Sequence, residues 1–229
     1  MNISEWDVKY REAPDQAGVA EPAPIVTELL PLVPRSNRGL QARQPDGQVQ
    51  TLKTGGEALD LACGGGRHAL VLAERGYHVT AVDASGAALD EVEKRARTAG
   101  LSCERTTGLR VGKRGSAAGL TLVQVDLESA TLPEESFDLV LCVHYLQRSL
   151  FPQMERALRP GGMLVFETFT RGHLELGNTG PRNPEFLLES HELRSAFPSL
   201  RTLFYRELRA GKGVASLLAQ KAQWSLLTS

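Results

Sequence analysis

From about residue 58 the chain alternates short apolar runs with amphipathic stretches, and this rhythm sets the expected elements. "EALDLAC" (57–63) is a continuous apolar run of strand length, and "RHALVLAERG" (67–76) has helical spacing and ends on Gly76, suited to a C-terminal cap. "YHVTAVDAS" (77–85) predicts a second strand. Ser85 can then cap a helix that places Ala88, Leu89, Val92, Ala96 and Ala99 on one face. "LTLVQVDLES" (120–129), "FDLVLCVHYL" (137–146) and "MLVFETFT" (163–170) predict three more strands, the last preceded by a helix and exit turn in "LFPQMERALRPGG" (150–162). Strands that alternate with helices pair in parallel through right-handed crossovers. The tail departs from this pattern. "EFLLESHELRSAF" (185–197) predicts an amphipathic helix, and "LRTLFYRELR" and "VASLLAQKA", joined by "AGKG", predict an antiparallel hairpin.

Three segments fall outside the rhythm. "PAPIVTELLPLVPR" (22–35) carries a short apolar helical period, with Pro24 at an early helical position. "SNRGLQARQPDGQVQTLKTGG" (36–56) is polar and rich in turn-formers, an exposed loop or hairpin insertion. "CERTTGLRVGKRGSAAG" (103–119) has no apolar period and holds Arg105, Arg110, Lys113 and Arg114, which predicts a surface loop. The domain division expected is an N-terminal flap and helix at 1–34, an insertion at 35–56 and one domain at 57–229, with a further insertion at about 103–119.

Composition narrows the classes. With 41% hydrophobic residues over 229 positions, the chain can bury one sizeable core. A net charge of -1 gives no global attraction to nucleic acid or to an anionic membrane. Three cysteines without paired spacing, two of them (Cys63 and Cys142) in apolar runs, fit a reducing compartment. No signal-peptide core or membrane-length apolar run is evident, so a cytoplasmic location is expected. The five scattered histidines and the cysteines form no zinc spacing, and no metal is expected.

The candidate chemistry gathers at predicted strand ends, where open α/β sheets bind ligands. Gly64, Gly65 and Gly66 form an elbow between strand and helix that admits close approach to the backbone, and on its own it fits a dinucleotide fingerprint, a nucleoside-binding loop or an empty tight turn. Asp83 is placed for ribose hydroxyls or as a helix cap. Asp126 is placed for an adenine amine, with the Leu127 amide as donor to the ring, or as an ordinary strand-end turn. Asp60 separates the ligands: it would repel a pyrophosphate, yet it suits a ligand bearing an ammonium and a sulfonium.

In order, "ALDLACGGGRHALVLAERGYHVTAVDAS", "LVQVDLES", "FDLVLCVHYL" and "ALRPGGMLVFETF" resemble the motif set of class I S-adenosylmethionine-dependent methyltransferases. "CGGGRHALVLAERG" and "EWDVKYRE" resemble the tellurite-resistance-type, small-molecule group within it. The resemblance implies a doubly wound, seven-stranded, mostly parallel sheet with a C-terminal antiparallel hairpin. It also implies S-adenosylmethionine as cofactor, held by Trp6, Tyr10, Asp60, Ala62, Cys63, Gly64, Gly66, Arg67, Asp83, Ala84, Ser85, Asp126, Leu127 and Val143. Ala62 stands where the family often has glycine. Arg67, at a helix start, is the candidate partner of the cofactor's carboxylate.

His144 and Tyr145, directly after the fourth of these strands, and Arg182, in the long segment after the fifth, are the candidate catalytic residues. The activity expected is in-line methyl transfer to a small molecule by a monomer or homodimer. Two alternatives stand beside it, an RNA methyltransferase using the "RVGKRG" loop and a non-catalytic S-adenosylmethionine-binding module. The near-neutral charge and the absence of aromatics in that loop weigh against RNA.

Overall fold

The structure, a computed structural model, describes residues 3–12, 21–33, 40–43, 49–52, 56–109, 117–176 and 180–223. The chain falls into two compact units, residues 1–127 and 128–229. Its principal sheet has eight strands: β3 (Glu57–Leu61), β4 (His78–Asp83), β5 (Cys103–Thr106), β6 (Gly119–Gln124), β7 (Phe137–Val143), β8 (Leu158–Phe169), β9 (Leu200–Glu207) and β10 (Val214–Lys221). Their order is β5-β6-β4-β3-β7-β8-β10-β9. Separately, β1 (Leu40–Arg43) and β2 (Val49–Leu52) pair as an antiparallel two-stranded sheet.

In the first unit β3, β4, β6 and β5 run parallel, with Asp60 beside Ala81 and Asp83 beside Gln124. The unbroken apolar runs of β3 and β4 follow from burial on both faces, as parallel sheets require. Across these strands Glu57 Oε2 lies 3.0 Å from His78 Nδ1. Helix α3 (Arg67–Glu74) follows β3, and α4 (Gly86–Thr98) follows β4, presenting Ala88, Leu89, Val92 and Ala96 to the core. The Ser85 hydroxyl accepts from the Ala88 amide at 3.1 Å, so the expected cap is present. Two further helices precede the sheet, α1 (Ile3–Glu12) and α2 (Pro24–Leu29); the buried His68 Nε2 accepts from the Ala23 amide at 3.1 Å beside α2.

In the second unit β7 and β8 are parallel and β10 is antiparallel to both β8 and β9. The terminal hairpin therefore forms as its pattern indicates. Helix α5 (Phe151–Ala157) packs Phe151 against Phe166 and Phe197, with ring centroids 5.8 and 5.2 Å away. Among the described residues no helix is long and apolar enough to cross a membrane.

Two expectations are corrected. The sheet has eight strands rather than seven, because "CERT" at the start of the expected surface loop pairs with β6 as an edge strand. Its half-exposed pattern lacks the apolar run that marks the other parallel strands, since an edge strand has a neighbour on one side only. The expected helix over 185–197 is broken into a 3-10 turn (Pro184–Phe186) and the short α6 (Glu192–Ser195). Between them Leu188 bridges to Thr170 and His191 takes φ 62, which ends any continuous helix.

Candidate active site

In the first unit the strand ends converge on the glycine elbow. The Asp83 carboxylate organises it: Oδ2 accepts from the Gly64 amide at 2.8 Å and Oδ1 from the Ser85 amide at 2.9 Å. The Arg95 guanidinium donates to the Gly65 carbonyl at 2.8 Å and fixes the far side of the loop. Ala62, the residue where glycine is usual, has φ 53, a left-handed conformation that glycine adopts at less cost. The Ala84 carbonyl accepts from Gln124 Nε2 at 3.2 Å, tying the ends of β4 and β6. Asp126 lies half-buried in the turn after β6, beside the buried Leu127.

The electrostatics of this loop favour a cation. Asp60 is 1% exposed, and burial pushes its carboxyl up to about 7, against the pull of Arg67 and the Ala69 amide. Its Oδ2 is buried without a hydrogen-bond partner among the described residues. Burial likewise raises Asp83. A buried carboxylate oxygen with no donor is costly, and a ligand ammonium is the kind of group that would satisfy it. Burial, Asp83 and Asp60 push the Cys63 thiol well above its ordinary range, so Cys63 lines the loop as an apolar group.

Helix α1 covers the elbow. A Cβ added at Gly64 would collide with the Tyr10 hydroxyl, and burial raises the Tyr10 phenol strongly. One turn earlier Asp7 accepts from the Ser85 hydroxyl at 2.6 Å and the Ala87 amide at 3.2 Å, anchoring α1 to the start of α4. Asp7 and Arg95 are residues that reading the sequence missed. Neither carries a motif signal, because both act on backbone brought near only by folding. Trp6 lies on α1, and its side chain is outside the described residues, as is the basic loop holding Lys113 and Arg114.

Gly66 serves packing. It takes φ 77, and an added Cβ would lie 2.8 Å from Val92 Cγ2 of α4. Gly66→Val should therefore lower the melting temperature, since overpacking costs about 1–3 kcal/mol and a β-branched residue resists this conformation. It should weaken ligand binding only through that distortion. Thermal melting unchanged from wild type would contradict this account.

In the second unit β7 ends at Val143, buried, and His144 follows with φ 60. The His144 amide donates to the Glu167 carbonyl at 2.7 Å, and its Nε2 lies 3.5 Å from Glu167 Oε1. Its ring packs on Phe169 at a centroid distance of 4.8 Å. The Tyr145 hydroxyl donates to Gln147 Oε1 at 2.6 Å. Arg182 is exposed. The arginine that organises the segment after β8 is Arg148, which binds both Glu192 oxygens at 2.6 and 2.9 Å and donates to the carbonyls of Glu185 and Leu187. Arg171 pairs with Glu189 at 2.5 Å. Sequence reading passed over Glu167, whose signal was a lone acid inside the apolar run "LVFETF". Among the described residues no group of three or more His, Cys, Asp or Glu side chains could hold a metal.

The family model described as "Methyltransferase domain" matches residues 59–166. The chain is 28% identical over 166 residues to the malonyl-[acyl-carrier protein] O-methyltransferase of Serratia marcescens, covering 68% of this chain and 57% of that protein. The chain thus spans little more than half of that relative's length. Among solved structures, TehB from Haemophilus influenzae superposes with a TM-score of 0.56 at 19% identity, covering 72% of this chain and 57% of that one. An S-adenosylmethionine-dependent methyltransferase from Mesorhizobium loti gives a TM-score of 0.54 at 20% identity, covering 73% of this chain and 92% of that one. At these identities the structural likeness speaks to the fold.

Proposed function

We propose that this chain, whose residues 59–166 match the methyltransferase-domain family model, is a class I S-adenosylmethionine-dependent methyltransferase that transfers a methyl group to an oxygen of a small-molecule acceptor. When bound, S-adenosylmethionine supplies a methyl group on a sulfonium, already activated for displacement. The observation that carries the reading is the orphaned Oδ2 of Asp60 beside the glycine elbow, a buried acceptor matched to the cofactor's ammonium. Asp83 fits the ribose hydroxyls while it holds the loop, Asp126 and Leu127 fit the adenine, and Arg67 at the start of α3 fits the carboxylate. Tyr10 on α1 covers the elbow and would exclude water from it. The name of the Serratia relative supports oxygen as the acceptor atom. On the protein side, His144 after β7 supports a site that removes a proton from the acceptor.

The test is calorimetric titration with S-adenosylmethionine, S-adenosylhomocysteine and NAD. The first two should bind, and NAD should bind at least tenfold more weakly, because its pyrophosphate would face two buried carboxylates. Tighter binding of NAD would overturn the assignment.

A further inference from the structure

An ammonium that pairs with Asp60 Oδ2 must reach an atom closed off from solvent: Asp60 is 1% exposed, and Cys63, Gly65 and Gly66 of the elbow are buried as well. At Gly64 the cover is α1, for the space that the missing side chain opens is taken by the Tyr10 hydroxyl. Tyr10 stands three residues after Asp7, so the two share a face of α1. Asp7 fastens that face. Its Oδ1 accepts from the Ser85 hydroxyl at 2.6 Å and from the Ala87 amide at 3.2 Å. Both donors lie at the N-terminal end of α4, where a carboxylate also complements the dipole of a 13-residue helix. These bonds, the Ser85 hydroxyl first, hold the Asp7 carboxyl below the ordinary aspartate range. Ser85 in turn accepts from the Ala88 amide and donates its own amide to Asp83 Oδ1. Helix α1 is thus tied to the residue that caps α4 and braces the Asp83 carboxylate. The other oxygen of Asp7 accepts from Arg11 within α1 at 2.7 Å.

We propose that Asp7 is a positioning residue that latches α1 over the elbow with Tyr10 in place, and that the cofactor enters and its demethylated product leaves only when the bonds to Ser85 and Ala87 part. This rests on the methyl-transfer reading above and concerns how the cofactor site is entered. The latch acts the same whether or not the elbow holds a ligand, so it governs rates of exchange more than affinity. Only the open form exchanges ligand, and the observed rates scale with its population. Hydrogen bonds to a charged group are worth about tenfold or more in such an equilibrium, so losing them raises the open population by that factor. A cover that lifts only for exchange keeps water from the sulfonium at other times.

Amide hydrogen exchange over residues 3–12 reads the latch without any ligand. In Asp7→Ala it should run about tenfold faster or more. In Asp7→Asn, whose side-chain oxygen still accepts from both donors, it should stay within about threefold of wild type. Arg11→Gln removes only the bond within α1 and should also stay within about threefold. Stopped-flow exchange of S-adenosylhomocysteine then reads the gate. In Asp7→Ala, association and dissociation should both speed up by about tenfold, with Kd within about threefold of wild type. A merely structural loss would not speed association. Unchanged exchange over residues 3–12 in Asp7→Ala overturns the latch. Faster dissociation with unaltered association overturns the gate and makes α1 a fixed wall of the site. Failure of the wild-type protein to bind S-adenosylhomocysteine would overturn the cofactor reading, and the gate with it, while the hydrogen-exchange difference would persist, so the two failures are told apart.

Discussion

Asp60→Asn should raise the melting temperature of the cofactor-free protein at pH 8 and, in the same variant, weaken S-adenosylmethionine binding by about tenfold or more. Both effects come from one buried carboxyl. Its native pKa is raised to about 7 from an ordinary 3.8, burial being the largest cause. Between those values the unfolded chain has released the proton while the native state still holds it. Stability therefore falls as pH rises through that window, and the whole penalty is present above pH 7. A window of about three pH units corresponds to on the order of 4 kcal/mol. Asparagine has the same shape and no charge at any pH, so its advantage over wild type should grow from nothing near pH 4 to its full size at pH 8. Binding moves the other way, because a hydrogen bond to a charged group contributes about 1.5–3 kcal/mol and the ligand's ammonium would lose it. Thermal melts at several pH values and calorimetry on the two proteins check both parts. A pH-independent difference in melting temperature would show that Asp60 is not the buried titrating group, and undiminished affinity would remove it from the cofactor site.

The same residue shows why part of the site was legible before folding and part was not. Asp60, Asp83 and the glycine elbow are close in sequence to the strand ends that place them, and an acid following an apolar run is visible as such. The strands β3, β4, β6, β7 and β8 could be read for the same reason, since burial on both faces writes a continuous apolar run. The edge strand Cys103–Thr106 could not, having one neighbour and a half-exposed surface. The helix expected over 185–197 failed because its period was overruled by tertiary bonds: Arg148 captures the carbonyls of Glu185 and Leu187, and Glu207 accepts from the His191 amide at 2.9 Å. Asp7, Arg95 and Ser216 are ordinary polar residues in the sequence and gain a role only through partners 78, 30 and 49 positions away.

His144→Asn separates proton abstraction from shape. His144 has φ 60, where most side chains are strained and asparagine is among those best tolerated. The variant should therefore keep the turn after β7, including the amide bond to the Glu167 carbonyl, while losing the imidazole. With catechol as acceptor, turnover should fall by about 10²–10⁴-fold, the usual contribution of a positioned general base. With free cysteine as acceptor at pH 8.5 the loss should be within about threefold, because a thiol with a pKa near 8.5 supplies its own nucleophilic anion in bulk water. S-Adenosylmethionine affinity should stay near wild type, since the residues fitted to the cofactor's ammonium, ribose and carboxylate are Asp60, Asp83 and Arg67. Equal losses with the hydroxyl and the thiol acceptor would mean that the imidazole shapes the acceptor pocket and takes no proton.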